Sequence, residues 1–291
     1  CRAGQHVISL YHRKAAEYNS AAFLFLLEGF MFPTVSIFGY NIQSMWLACV
    51  AGACVCCALV LFRSKKLALP SVDVTNAGAM GLVGVLIGGK ILYLCTILPI
   101  LMQYWGQLVQ RPQLLVQITL TSGTVYYGGL LGFLAAVQWY LRRYRLNAAL
   151  FWDCIAPAIP LFHVFGRIGC FLNGCCYGFE SQRFGIAFTH SLSAPNGIPY
   201  FPVQLLEAAC EAIIFLFVLR LSLRAAGQGR ALWLYLCLYA PARFLLEFLR
   251  ADTIRGIWFG LSTSQWVSVV LLAVAAKKMF FPAKHTKQKA R

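Results

Sequence analysis

The chain has 291 residues, of which 60% are hydrophobic and only 12% charged, with a formal net charge of +16 and a mean hydropathy of +0.69. Soluble domains carry about a quarter charged residues, and one core of this size cannot hide so much apolar surface, so a soluble globular protein is excluded. The lysines and arginines lie in short loops between apolar runs rather than on one basic face, which argues against a nucleic-acid partner.

Near the start, "AAFLFLLEGFMFP" holds Glu28 and ends at Pro33, which predicts an interfacial helix. Seven stretches follow that suit a crossing of roughly 30 Å of hydrocarbon: 40–62, 79–101, 126–142, 149–166, 204–223, 231–249 and 264–281. "IFGYNIQ" leads into the first with Tyr40, and "GVLIGGKILYL" puts Lys90 in the second. "YYGGLLG" opens the third with Tyr127, Gly128 and Gly129. A phenol beside bare backbone suits either a ligand or an interfacial anchor with small-residue packing, and both readings stand.

The fourth stretch holds Asp153, and its Pro157 and Pro160 predict a kink. It runs into "GRIGCFLNGCCYG" at 166–178, with Arg167, Asn173, Gly178 and three cysteines. Residues 171–203 are expected to form a small cap with short strands and a turn at Pro195, Asn196 and Gly197. Gln204 and Glu207 open the fifth stretch. The sixth, in "YAPARFLLEFLRAD", carries Tyr239, Arg243, Glu247 and Arg250, with Arg243 and Glu247 one helical turn apart. "TSQWVS" opens the seventh.

Basic clusters follow the first, third, fifth and seventh stretches: Arg63, Lys65 and Lys66; Arg142, Arg143 and Arg145; Arg220, Arg224 and Arg230; and Lys277, Lys278 and the tail. Alternating spans put them on one side, which the positive-inside rule assigns to the cytoplasm. The expected fold is an all-α membrane protein of seven transmembrane helices, N-terminus exoplasmic and C-terminus cytoplasmic. Residues 1–39 are an exoplasmic or interfacial segment, 40–281 the membrane domain with its exoplasmic cap at 171–203, and 282–291 a basic cytoplasmic tail. No internal repeat is visible, which argues against an inverted-repeat transporter.

Charges at membrane depth are costly and mark function. Two guanidinium groups there, Arg167 and Arg243, suit a phosphodiester, because arginine presents a planar fork to phosphate oxygens. A structural Arg243–Glu247 bridge is the competing reading. Of the twelve cysteines, Cys49, Cys54, Cys56, Cys57, Cys95, Cys210 and Cys237 fall within spans and read as small apolar fillers. Cys170, Cys175 and Cys176 have C-x4-C-C spacing without the paired C-x2-C and histidines of a zinc site, so no metal is expected. A Cys170–Cys175 or Cys170–Cys176 disulfide stays open.

Taken together these motifs resemble the prolipoprotein diacylglyceryl transferase family along nearly the whole chain. "GVLIGGKILY" resembles its G-G-R-x-G-Y, with Lys90 for the arginine, and "YYGGLLG" its H-G-G-L-x-G. The stretch from "WDCIAPAIP" to "GRIGCFLNGCCYG" resembles D-x-x-A-P-x-x-P…G-R-x-G-N-F-x-N-x-E-x-x-G. "FPVQLLEA" resembles H-P-x-Q-L-Y-E, "YAPARFLLEFLRAD" resembles Y-x-x-x-R-x-x-x-E-F-x-R-x-x-D, and "TSQWVS" the closing G-Q-x-x-S.

The resemblance implies transfer of a diacylglyceryl group from phosphatidylglycerol to the lipobox cysteine of prolipoproteins in the bacterial inner membrane. The products are a thioether and glycerol 1-phosphate, and no metal or diffusible cofactor takes part. It also implies catalytic roles for Arg243 and Arg167, with Glu247 orienting Arg243 and Tyr127 at the family's histidine position. Tyr40, Gly128, Gly129, Asp153, Asn173, Gly178, Gln204, Tyr239 and Arg250 would line the substrate site. Three positions depart from the pattern: Tyr127 replaces the histidine, Cys170 an asparagine and Cys175 a glutamate. The other readings are a lipid-binding or transport protein on the same bundle, or a transferase with a changed donor or acceptor.

Overall fold

The structure is a computed structural model and describes residues 32–37, 39–110, 113, 125–191, 193–224, 228–251 and 257–280. The expected helix around Glu28 and the tail from 282 lie outside the described residues. A hairpin of β1 (Thr34–Ile37) and β2 (Tyr40–Gln43) precedes α1 (Ser44–Lys66) and α2 (Ser71–Thr96). Two short helices follow, α3 (Leu98–Gln103) and α4 (Trp105–Gln110), then α5 (Tyr126–Arg143), α6 (Ala148–Ile155) and α7 (Ala158–Asn173). After the short strands β3 (Ile186–Ala187) and β4 (Pro199–Tyr200) come α8 (Val203–Arg224) and α9 (Ala231–Leu246), a 3-10 turn at Glu247–Leu249, the hairpin β5 (Ile257–Trp258) and β6 (Leu261–Ser262), and α10 (Thr263–Phe280).

Helices thus occupy all seven predicted stretches. Among the described residues, four are long and apolar enough to cross a membrane: Ser44–Lys66, Ser71–Thr96, Ala148–Asn173 and Ala231–Leu249. The helices in the other three stretches are not among these four. α8 carries Glu207, Glu211 and Arg220 in its apolar run, α5 closes on Arg142 and Arg143, and α10 on Lys277 and Lys278. The fourth stretch differs from expectation at its end. α6 stops at Ile155 before Pro157, as the prolines require, but α7 then runs to Asn173, so Arg167 stands on a helix and not in the following loop.

The chain forms two compact units. One comprises Leu59–Ile155 and Leu221–Ala231. Within it α2 and α5 approach with backbone against backbone: a Cβ added to Gly84 or Gly132 would strike the other's carbonyl, and likewise for Gly88 and Gly128. Both helices therefore present glycines four apart, the small-residue pattern by which membrane helices pack. Leu82, Leu86, Ile87 and Ile91 on α2 are left exposed, the composition a lipid-facing surface needs. Arg63, expected just past the first stretch, lies within α1 and is buried. It donates to the Asp153 carbonyl at 2.8 Å, the Cys154 carbonyl at 3.2 Å and Ser222 Oγ at 2.9 Å. These are the open carbonyls at the C-terminus of α6, where a cation is favoured.

The other unit contains the described residues of Cys1–Ala58, Ala156–Arg220 and Leu232–Arg291. Its helices are α7, α9, α10 and most of α1 and α8. Between α7 and α8 the chain builds a small apolar core from Phe171, Ile186, Phe188, Ala194 and Tyr200. β3 pairs with β4 antiparallel, and the turn falls at Gly197, whose φ of 81° only glycine adopts easily. α10 begins with a reciprocal cap: Ser262 N–H donates to Gln265 Oε1 at 2.9 Å and Gln265 N–H to Ser262 Oγ at 3.2 Å.

Candidate active site

Three elements of this second unit bring buried charges together. α7 supplies Arg167, α8 supplies Glu207 near its N-terminus, and the end of α9 with its 3-10 turn supplies Arg243, Glu247 and Arg250. Glu207 is the hub. Its Oε2 pairs closely with Arg167 Nε, while its Oε1 lies 3.2 Å from Arg243 Nη1 and 3.9 Å from Arg250 Nη1. Arg243 Nη2 reaches Glu247 Oε2 at 2.6 Å, so the predicted one-turn pair forms even though the helix tightens there. All five side chains are under a tenth exposed. An ion network in that setting persists only if every charge has partners, and here the guanidinium forks and carboxylates supply them.

Arg167 has a further partner that sequence reasoning missed. Its Nε donates to His163 Nε2 at 3.2 Å, one turn back on α7, and His163 Nδ1 lies 2.9 Å from Glu211 Oε1. Accepting from an arginine leaves Nε2 without a proton, so the proton sits on Nδ1 and faces Glu211. The signal was in the sequence: His163 precedes Arg167 by four, and Glu211 follows Glu207 by four, each on one face of an otherwise apolar helix. Tyr239 is 1% exposed, stacks on Tyr235 at 5.4 Å and meets the His163 ring edge-on at 5.6 Å. Tyr239 thus packs against the histidine that meets Arg167.

The segment after α7 is shaped by one glycine. Gly174, at φ 69°, ends the helix: its N–H donates to the Phe171 carbonyl at 3.1 Å and Cys175 N–H to the Cys170 carbonyl at 3.0 Å. Gln204, fully buried, donates from Nε2 to the Cys175 carbonyl at 2.8 Å, so this predicted ligand-lining residue anchors the loop. Gly178 has the same character. It pairs with Arg250 across a β-bridge, its N–H reaches the Phe201 carbonyl at 3.1 Å, and a Cβ would strike the carbonyls of Phe201 and Leu249. Asn173 is buried at the end of α7. Cys170, Cys175 and Cys176 are free thiols. Outside the helix, Cys176 is held well below the usual thiol range by hydrogen bonds from Cys170 and Cys175, aided by Arg250 and Arg167. Cys175 is pushed up to about 11: the bond to Cys170 lowers it, but donation to Cys176 and burial outweigh that.

Other predicted site residues have different surroundings. Tyr40 is 76% exposed on the β1–β2 hairpin. Tyr127 is buried in the first unit, its ring 6.1 Å edge-on from Tyr126, and Gly128 and Gly129 meet α2. Asp153 accepts from the backbone N–H of Gly229 at 2.8 Å and of Ala231 at 3.1 Å, which fixes the start of α9.

Against known proteins, residues 33–281 match the family model for prolipoprotein diacylglyceryl transferase. A phosphatidylglycerol–prolipoprotein diacylglyceryl transferase of Clostridium tetani is 31% identical over 239 residues, 82% of this chain and 92% of that protein. A second such transferase of Clostridium perfringens is 32% identical over 81% of this chain and 89% of its own. One from Idiomarina loihiensis is 31% identical over 68% and 74%. The paired arginine blocks, their buried ion network and these matches all place the chain in the prolipoprotein diacylglyceryl transferase family.

Proposed function

We propose that this protein transfers the diacylglyceryl group of phosphatidylglycerol to the lipobox cysteine thiol of prolipoproteins. The observation that carries this reading is the convergence of Arg167, Arg243 and Arg250 on Glu207 in a buried setting. The acceptor thiol gives up its proton, which in the overall balance ends on the released glycerol phosphate, and becomes the nucleophile. Its sulfur then bonds to the glyceryl carbon while the bond from that carbon to the phosphate oxygen breaks. The electron pair leaves with glycerol 1-phosphate, and charge grows on the phosphate oxygens. Fixed guanidinium groups in a low-dielectric site stabilise that growing charge without reorganising. Arg243 and Arg167 are assigned to the phosphate, Glu247 to orienting Arg243, and His163 to orienting Arg167. Tyr127 is assigned a hydrogen bond to the lipid head group, since a phenol with a pKa near 10 is a poor base at neutral pH.

In this reading the protein is a seven-span protein of the bacterial inner membrane, with the basic ends of α1, α5, α8 and α10 cytoplasmic. The network and the 174–202 segment then face the exoplasm, where prolipoprotein signal peptides emerge. The test is direct. Purified protein given phosphatidylglycerol and a lipobox peptide should yield diacylglyceryl peptide and glycerol 1-phosphate. Arg243→Ala should abolish turnover, and full activity in that variant would remove the site.

A further inference from the structure

Cys170, Cys175 and Cys176 bring their three sulfurs within 4.8 Å of one another, each half-buried. The backbone does this. Gly174 reverses the chain at the end of α7, the Cys175 N–H returns to the Cys170 carbonyl, and Cys176 takes a left-handed φ of 61° that turns it toward the other two. A non-glycine residue adopts that conformation only at some cost, so the fold holds the cluster against a local preference. The C-x4-C-C spacing gave no reason to expect this, because linear spacing does not see a helix cap that folds the chain back on itself.

We propose that Cys170, Cys175 and Cys176 form a three-thiolate binding site for a zinc ion at the C-terminal end of α7. With Zn–S bonds of about 2.3 Å, tetrahedral ligation sets sulfurs about 3.8 Å apart, which small side-chain rotations reach from the arrangement seen. The site lies at the negative end of the α7 dipole, where a cation is favoured. Three thiolates and one divalent ion leave one negative charge, which Arg167, three residues before Cys170 on α7, and Arg250, paired with Gly178 just past Cys176, offset. Gln204 holds the Cys175 carbonyl and so fixes the ligand loop from behind, as outer groups do around metal ligands. Among the described residues no histidine or carboxylate completes the group, so the fourth position is left to water. This inference does not depend on the proposed reaction.

The full chain, purified in detergent, reduced and stripped with a chelator, should retain one zinc per chain after incubation with zinc alone and desalting. Cobalt in its place should give the sulfur-to-metal charge-transfer absorption that thiolate ligation produces. Cys170→Ser and Cys176→Ser should each lose both signals, whereas Cys95→Ser, on α2, should keep them. To separate ligation from folding, the unaltered protein should show zinc protecting Cys170, Cys175 and Cys176 from iodoacetamide, read peptide by peptide, while Cys95 stays reactive. Failure to retain zinc with all three thiols reduced overturns the site, as does a charge-transfer band that survives Cys176→Ser. A Cys170–Cys175 or Cys170–Cys176 disulfide whose reduction restores no zinc binding also overturns it.

Discussion

Arg243 Nη1 lies 3.2 Å from Glu207 Oε1, which joins two helices through residues 36 apart in sequence. The same carboxylate faces Arg167 and Arg250, so one acidic side chain on α8 holds guanidinium groups from α7 and from the end of α9. Glu207 is thus the shared partner of the three arginines, while Glu247 meets Arg243.

Glu207→Gln should therefore be the most damaging carboxylate change. It leaves buried guanidinium groups short of their shared partner, at a cost of about 3–5 kcal/mol. Glu247→Gln removes the pair with Arg243, one arginine of the three, and should cost less. Thermal unfolding of the two variants in detergent compares them, and equal losses would refute the hub.

Tyr127→Phe keeps the ring and removes the hydroxyl. If that hydroxyl serves the lipid head group, transfer should fall at least about tenfold, the equivalent of one lost hydrogen bond of about 1.5 kcal/mol, with thermal stability nearly unchanged. Wild-type rates would leave Tyr127 as a packing residue.

Two glycines from the same motifs should behave oppositely. Gly128→Ala drives a methyl group into the Gly88 carbonyl and should destabilise by about 1–3 kcal/mol. Gly166→Ala meets nothing within 4 Å and should hold or gain about 0.5–1 kcal/mol from helix propensity. Unfolding temperatures decide, and a neutral Gly128→Ala would contradict the close approach of α2 and α5.

Asp153→Ala deletes the acceptor of two backbone N–H groups before α9. The expected loss is about 1–3 kcal/mol of stability with KM for phosphatidylglycerol unchanged. A raised KM in a fully stable variant would return Asp153 to the substrate site.

In metal-free, reduced protein, Cys176 should alkylate at pH values below its ordinary 9.0 and Cys175 only as the pH approaches about 11. The signs differ. The depressed Cys176 contributes stability above pH 9.0 that is lost as pH falls through its folded value. The raised Cys175 contributes below pH 9.0 and loses it as pH rises through about 11. Equal alkylation profiles would refute the hydrogen-bonded cluster.

Much was legible in the sequence because it depends on local pattern. Apolar runs marked every long helix, Pro157 marked the break before α7, and Asn196–Gly197 marked the turn before β4. The spacing of Arg243 and Glu247 placed them on one face because i and i+4 always meet on a helix. The G-R and R-x-x-x-E blocks pointed to the family for the same reason, as order and spacing survive in a linear string.

What the sequence by itself determined is the class of the protein, its helices and its arginines. Only the tertiary structure decided that Glu207 is the hub, that the His163–Arg167 face of α7 meets the Glu207–Glu211 face of α8, and that Asp153 and Gly178 serve the backbone. It also decided that three cysteines meet. Each of these turns on which helix faces which and where a glycine reverses the chain. Those are contacts between residues distant in sequence or past a cap, and no local periodicity encodes them.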